Sequence, residues 1–550
     1  MKQTKTPFTD KEKANMQLLE ITDGRLTGVS NPDKLVGSLV LPDCITEIGV
    51  YAFRHCNSLT SVTIPDSVTK IGFGAFQNCS SLNRVVIPKS VNLIRSKAFA
   101  GCSRLTDITV DSENPVYCSE NNIIYTKDKK KLVAAAADLE HIIIPDGVSE
   151  IGMCAFQNYS SLTSITIPDS VIKIDPCTFG GCTGLKVLTV DNENPAYCSE
   201  GNSIYTKNKK KLIAAAKGLT SVAIPDGVTE IGEHAFSGCS GLTDIVIPES
   251  VTVIGACAFS DCTCLTGVMI PDSITEIGTA AFSGCTALTG ITIPAGVTII
   301  GEDAFSECTC LTELTVDSEN PVYYSENNIL YTKDKKKLLA AAVSLKGRIV
   351  IPDGVTEICE WAFSGCSDLN EVSIPTSVTI IGENAFSDCS GLIFLVIPAS
   401  VIEIGLRAFA GCKCLTELIV NSKNPVYCSE NNIVYTKDTK CLIAAAGGLE
   451  HIIIPDGVTE IGAWAFSGCA SLTNVTIPAG VIEIGCWAFK DCISLKNIVI
   501  YGSVAEYHIS TFYCINPDAH FTVKNETEKK LLINSDNSIR DEQITVDPEL

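Results

Sequence analysis

LTSVTIPDSVTKIGFGAFQNCS, from Leu59 to Ser80, reads as one turn of a coil. Leu59, Val62 and Ile64 keep an L-x-x-L-x-L spacing, which turns alternate residues of a short strand inward and leaves those between them outside. Pro65 has no N–H to continue a ladder, so the strand stops there. Val68 and Ile71 form a shorter apolar alternation and predict a second extended segment opposite the first. Gly72 is expected to permit the turn that follows. Ala75 and Phe76 fill the next corner, Phe as a stacked aromatic and Ala as a spacer between coils, with Cys79 three residues on.

The unit recurs every 23 residues, as Ile64-Pro65 and Ile87-Pro88 show, and later Ile224-Pro225, Ile247-Pro248, Ile270-Pro271 and Ile293-Pro294. One such unit cannot enclose a core, but stacked units bury a continuous ladder of Leu, Val, Ile and Phe. The 550 residues therefore predict one β-rich solenoid over 23–500 in place of several globular domains. Four longer repeats break the step, near 111–144, 191–224, 317–351 and 421–454. In the first, apolar runs over Ile123 to Lys127 and Leu132 to Ala136 flank Asp128-Lys129-Lys130 and predict a hairpin with a charged tip. Leu139, Ile142 and Ile144 then restore the strand, so the insertion is a longer repeat and not a separate domain.

The pattern C-x-x-L-T-x-h-x-I-P-x-x-V-T-x-I-G-x-x-A-F resembles the treponeme-type leucine-rich repeat of the BspA-like family, and the insert motif around Asn114-Pro115-Val116-Tyr117 is similar to that family's own. The resemblance covers about 23–500. It implies a right-handed curved leucine-rich-repeat solenoid with a parallel sheet on the concave face and short strands on the other. It also implies a surface or secreted protein that binds extracellular-matrix components or other cells, a host-facing adhesin.

Composition narrows the function classes. The chain is 45% hydrophobic, yet Pro, Asp, Gly and Thr interrupt every apolar run, so no membrane span is expected. A formal charge of −22 opposes binding to phosphate backbones, so nucleic acid is not an expected partner. The opening MKQTKTPFTDKEKANMQLLE has Lys11 and Lys13 where a secretory signal would be apolar. Location thus has two readings, cytoplasmic from this opening and cell-surface from the resemblance. No G-x-S-x-G, phosphate loop or H-E-x-x-H occurs, so a non-catalytic interaction module without cofactor or metal is expected. The expected partner is a protein or a matrix glycan bound by a monomer. The alternatives are an intracellular scaffold and, behind it, an enzyme or metal protein.

Twenty-seven cysteines follow the repeat, with Cys at Phe+3 in thirteen of fourteen clear units and Tyr159 in the other. They read as small buried hydrophobes whose S–H meets a backbone carbonyl in the turn. Cys154 and Cys177, at Phe−2 in adjacent units, are the candidate disulfide. Binding information should lie where outward positions depart from the usual Thr and Ser. Ile393, Phe394, Val396 and Ile419 make such an apolar break. Trp361, Trp464 and Trp487 all fall at Phe−2, and the last two can stack, either as packing or as a partner-binding ridge. The Lys-rich hairpin tips, such as Lys129 to Lys131, read either as solvated turns or as contacts for an anionic polymer. Residues 1–22 are expected to be a flexible lead, 501–525 a closing cap and 526–550 an acidic mobile tail.

Overall fold

The computed structural model describes residues 10–550 apart from 33, 176, 509 and 536–538. The chain divides into two compact units, Met1–Leu265 and Thr266–Leu550. Each is a β-solenoid with the same coil plan.

In the first unit the long strands Gly37–Val40, Leu59–Thr63, Arg84–Ile87 and Asp107–Val110 form one parallel sheet, and Val85 lies beside Ile108 in a step of one repeat. The inward residues Val62, Val85 and Ile108 are buried, as the alternation requires. Opposite them Glu47–Ile48, Lys70–Ile71 and Leu93–Ile94 form the second, narrower ladder anticipated from Val68 and Ile71. At the corner, rings stack at the coil spacing, with Phe53 and Phe76 centroids 5.0 Å apart and Phe466 and Phe489 of the second unit 4.7 Å apart.

Gly72 serves the fold by another route than the one expected. Its φ is not positive, but a Cβ there would lie 2.6 Å from the Gly49 backbone, so glycine is required for coils to approach. The left-handed turn falls at Phe−2 instead. Tyr51, Lys97, Cys154, Cys177, His234, Asp303, Trp361, Arg407, Trp464 and Trp487 all hold φ between 53° and 63° there. Most L-residues avoid that region at a cost of roughly 1–2 kcal/mol, so the stack must over-determine it.

The cysteine ladder answers a backbone need between coils. Cys79 Sγ donates to Phe53 O at 2.9 Å, Cys102 to Phe76 O at 3.1 Å and Cys389 to Phe363 O at 3.0 Å. The acceptor belongs to the preceding coil and not to the thiol's own turn. Tyr159 follows an insert, and its longer side chain carries the donor to Ala135 O.

Each insert is a three-stranded antiparallel meander, one strand more than the expected hairpin. In the first, Tyr117–Glu120 pairs with Ile123–Thr126, which pairs with Lys131–Ala135. That last strand joins Glu150–Ile151 in parallel, so the meander supplies the short strand of its own coil. The Asn-Pro step anchors it. Buried Asn114 donates through Nδ2 to Pro88 O and Val91 O, and its Oδ1 accepts from Val116 N and Tyr117 N. Asn194, Asn320 and Asn424 repeat the arrangement.

The ends differ from expectation. Asp10–Met16 is a helix, and Leu19–Thr22 pairs antiparallel with Arg25–Val29, so residues 10–22 form a cap and not a flexible lead; residues 1–9 lie outside the described ones. At the other end Glu526–Ser535 is a helix that buries Leu532, and Ile544–Val546 adds a parallel strand beside His520–Val523. Buried Glu528 accepts from Tyr507 Oη and Val504 N. The acidic segment closes the last coil's apolar end, which a mobile tail would leave exposed.

Asn114→Ala removes four hydrogen bonds, leaving the Val91 carbonyl without its partner and the Pro88 carbonyl with only the Val91 N–H. It is expected to cost on the order of 3 kcal/mol, read as a lowered unfolding midpoint by circular dichroism.

Candidate functional site

The inserts interrupt the narrow ladder, and the interruptions become pockets. Leu93–Ile94 is the edge of one sheet, and the next begins with the meander, so Ile94 N–H loses its strand neighbour. The Tyr117 hydroxyl accepts it at 2.9 Å. Tyr197, Tyr323 and Tyr427 do the same for Ile174, Ile300 and Ile404. Between each edge and its meander lies a gap walled by the Phe−2 residues of the coils before and after the insert. Those pairs are Lys97 with Cys154, Cys177 with His234, Asp303 with Trp361, and Arg407 with Trp464.

The four gaps differ in size. The first and fourth enclose about 10 and 20 Å³. There Gly101 N–H donates to Gln157 O at 3.1 Å and Gly411 N–H to Ser467 O at 3.2 Å, drawing the flanking coils together. A Cβ on Gly468 would fall 2.7 Å from the Gly411 backbone, so this approach needs glycine. Before the third insert Glu307 stands at the equivalent position, and that cavity reaches about 340 Å³. The second encloses about 240 Å³.

The second pocket gathers thiol, imidazole and ammonium chemistry. Cys154 and His234 both act on the Cys177 thiol. The bond from Cys154, then His234 and the charge of Lys97, hold the Cys177 thiol down at about 5 against the opposing effect of burial. The bond to Cys177 and burial push Cys154 far up, so Cys177 ionises first. Lys217, almost wholly buried, lines the same cavity and donates to Ala235 O at 3.5 Å. Cys154 and Cys177 stand as free thiols in adjacent coils.

The apolar break lies elsewhere, on the sheet of Gly347–Val350, Leu369–Ser373, Phe394–Ile397 and Glu417–Val420. Phe394 is flanked in register by Glu371 and Glu417, and Val396 lies beside Ile419. Ile419 is 39% and Ile393 48% exposed, while Phe394 and Val396 are half-buried. The outward column gains a residue that sequence reasoning missed, Val350, which is 63% exposed. Val350 sits at the position before Ile-Pro, which carries Thr63 or Thr292 in some coils and Val86, Ile143, Val246, Met269 or Ile453 in others.

The tryptophans do not form one site. Trp464 and Trp487 stack with centroids 4.8 Å apart, and Arg407 and Lys490 lie over Trp464 at 4.3 and 5.3 Å. Trp361 lines the third pocket. All three sit on the corner, apart from the long-strand sheet that carries Phe394. The Lys-rich tips are largely neutralised within the chain: Lys129 pairs with Glu120 and Lys209 with Glu200, each at 2.5 Å, and Lys131 with Glu150.

Parallel coils, a 23-residue register and paired ladders define a leucine-rich-repeat solenoid. The family description "BspA type Leucine rich repeat region" matches residues 33–133, 129–210, 206–331, 341–437 and 441–531, and the chain belongs to that family. A leucine-rich cell surface protein from Faecalibacterium prausnitzii is 26% identical, over 71% of this chain and 96% of its own, with a TM-score of 0.35. A leucine-rich repeat protein from Bacteroides ovatus is 26% identical over 74% and 98%, with a TM-score of 0.32. One from Eubacterium ventriosum is 22% identical over 75% and 96%, with a TM-score of 0.37. No curated protein matches the chain. No helix among the described residues is long and apolar enough to cross a membrane.

With its thiol held below the ordinary range, Cys177 should be alkylated by iodoacetamide with a shallower rise between pH 6 and 8 than an ordinary thiol shows. An ordinary thiol would gain about tenfold per pH unit below its pKa near 8.5. His234→Ala removes one cause of the depression and should steepen the rise with pH, measured by peptide mass spectrometry.

Proposed function

We propose that this chain is a non-catalytic binding protein that engages a protein or extracellular-matrix glycan ligand through the long-strand sheet around Phe394. Val396 and Ile419 in register, with Ile393 beside them and Val350 one coil further beyond Ser373, carry the reading. The same outward position varies along the chain: Thr292 and Thr315 bond at 2.9 Å in one pair of coils, while Ile143, Val246, Met269 and Ile453 stand exposed in others. Exposed apolar side chains gain from losing water, and a rim of charge around them sets orientation. Arg348, Glu371 and Glu417 provide such a rim; Arg348 and Glu371 pair at 3.3 Å. Family membership supports a cell-surface role facing a host or another cell. It also agrees with a surface bearing 63 acidic against 41 basic residues, which suits cationic or neutral partners better than polyanions.

The second pocket fits a distinct, subordinate role in this reading. Cys154 and Cys177 form the pair that a thiol oxidant would close into a disulfide, tying two coils on either side of the corner. Equivalent positions in adjacent parallel coils are about 4.8 Å apart, within the Cα separation that a disulfide spans.

Phe394→Asp and Val396→Asp place a charge on the apolar column without touching the core and should weaken capture of a surface ligand at least tenfold. Binding to immobilised matrix proteins and glycans reads the effect, with unchanged circular dichroism as the control. Wild-type affinity in both variants removes this sheet from the account.

A further inference from the structure

The third and fourth pockets share one frame and differ by an exchange of charge. Trp361 and Trp464 occupy equivalent positions after their inserts, and Asp303 and Arg407 occupy equivalent positions before them. In the fourth pocket the Arg407 guanidinium lies 4.3 Å from the centre of the Trp464 ring, and only about 20 Å³ stays open. In the third, a carboxylate replaces that guanidinium, and about 340 Å³ lies open beside Trp361. The chain thus shows in one pocket what kind of group the other is shaped to receive.

We propose that the third pocket binds an organic cation, a guanidinium or alkylammonium group, between the Trp361 ring and the carboxylates of Glu302, Asp303 and Glu360. This goes beyond the reading of the Phe394 sheet and does not depend on it.

The charge around the pocket supports the proposal. Glu302, Asp303, Glu307 and Glu360 all line it, and Lys337, its one lining lysine, is engaged by Glu357 at 2.7 Å. Asp303 Oδ1 is buried without a hydrogen-bond partner. Burial first, then the charges of Glu302, Glu383 and Glu307, hold the Asp303 carboxyl above its ordinary range, and burial with Asp303 and Glu302 does the same for Glu360. Like charges so placed repel one another, and a bound cation relieves the repulsion. Where the chain supplies its own cation the carboxylates are gone, with Leu406 for Glu302 and Ala463 for Glu360. A flat indole face beside carboxylates favours an organic cation over a bare metal ion, since the ring offers its negative π-face and no ligand atom. The volume is that of a small-ligand site, in the range of about 300–1,000 Å³. Glu307 lines it where the other three pockets have glycine, at Gly101, Gly181 and Gly411.

The test titrates the full chain at pH 7 with tetramethylammonium, methylguanidinium, the peptide acetyl-Gly-Arg-Gly-amide and, as the metal control, calcium, followed by tryptophan fluorescence and calorimetry. Saturable binding of at least one probe is expected. It should weaken at least tenfold in Asp303→Asn and in Trp361→Leu. Asp303→Arg, which installs the fourth pocket's cation in the third, should abolish it while leaving the melting temperature at or above that of the parent. Binding of the peptide and not the small cations identifies a partner's arginine as the source; equal binding identifies a free small cation. Absence of saturable binding by every probe, binding of calcium alone, or undiminished binding in Asp303→Asn and Trp361→Leu overturns the proposal. Should Asp303→Arg fail to fold, those two milder variants decide.

Discussion

Parallel strands sit about 4.8 Å apart, and a 23-residue coil places every side chain directly over its equivalent in the next one. This spacing governs everything else in each unit. It stacks Phe53 on Phe76 and brings the Cys79 thiol to the carbonyl of Phe53. It admits only glycine at Gly72, where a Cβ would meet the Gly49 backbone. It also turns any exception into a feature of the surface, because a side chain that differs from its neighbours above and below cannot be averaged away.

The inserts are the points where that spacing is deliberately broken. A meander cannot continue the narrow ladder of the preceding coil, so an edge N–H is left behind, and the Tyr of the Asn-Pro-x-Tyr motif supplies the acceptor. Asn114 and its three equivalents each tie the new chain to the old coil by two hydrogen bonds and brace the insert's own start by two more. The recurrence of this motif is structural, which is why it is the same in all four copies. What varies are the residues around the gaps. Lys97, Cys177, Asp303 and Arg407 share a positive backbone φ and carry quite different chemistry.

The coil and its ladders were legible because period and burial coincide. Leu59, Val62 and Ile64 are buried, and Thr63 is not. The Phe394 patch was legible for the same reason, since Ile393, Phe394 and Val396 cluster at outward positions around one strand. The third pocket was not. Trp361 and Trp464 share a column in the sequence, but Trp361 faces a cavity while Trp464 lies between Arg407 and Trp487. That difference depends on residues an insert away, Asp303 against Arg407 and Glu307 against Gly411, which meet only after the meander has folded between them.

The ends show the same division. Acidic composition after residue 525 resembles that of a mobile tail, yet Leu532, Ile539 and Ile544 bury themselves against the last coil and Glu528 fills a polar gap in it. The sequence by itself determined the repeat, its register and its family, because those follow from local spacing that each unit states for itself. The tertiary structure alone decided which Phe−2 residues face a cavity, which thiols are perturbed and how the chain closes. Those outcomes depend on distances between coils, and a one-dimensional pattern carries order along the chain but not the width of the gap between two turns.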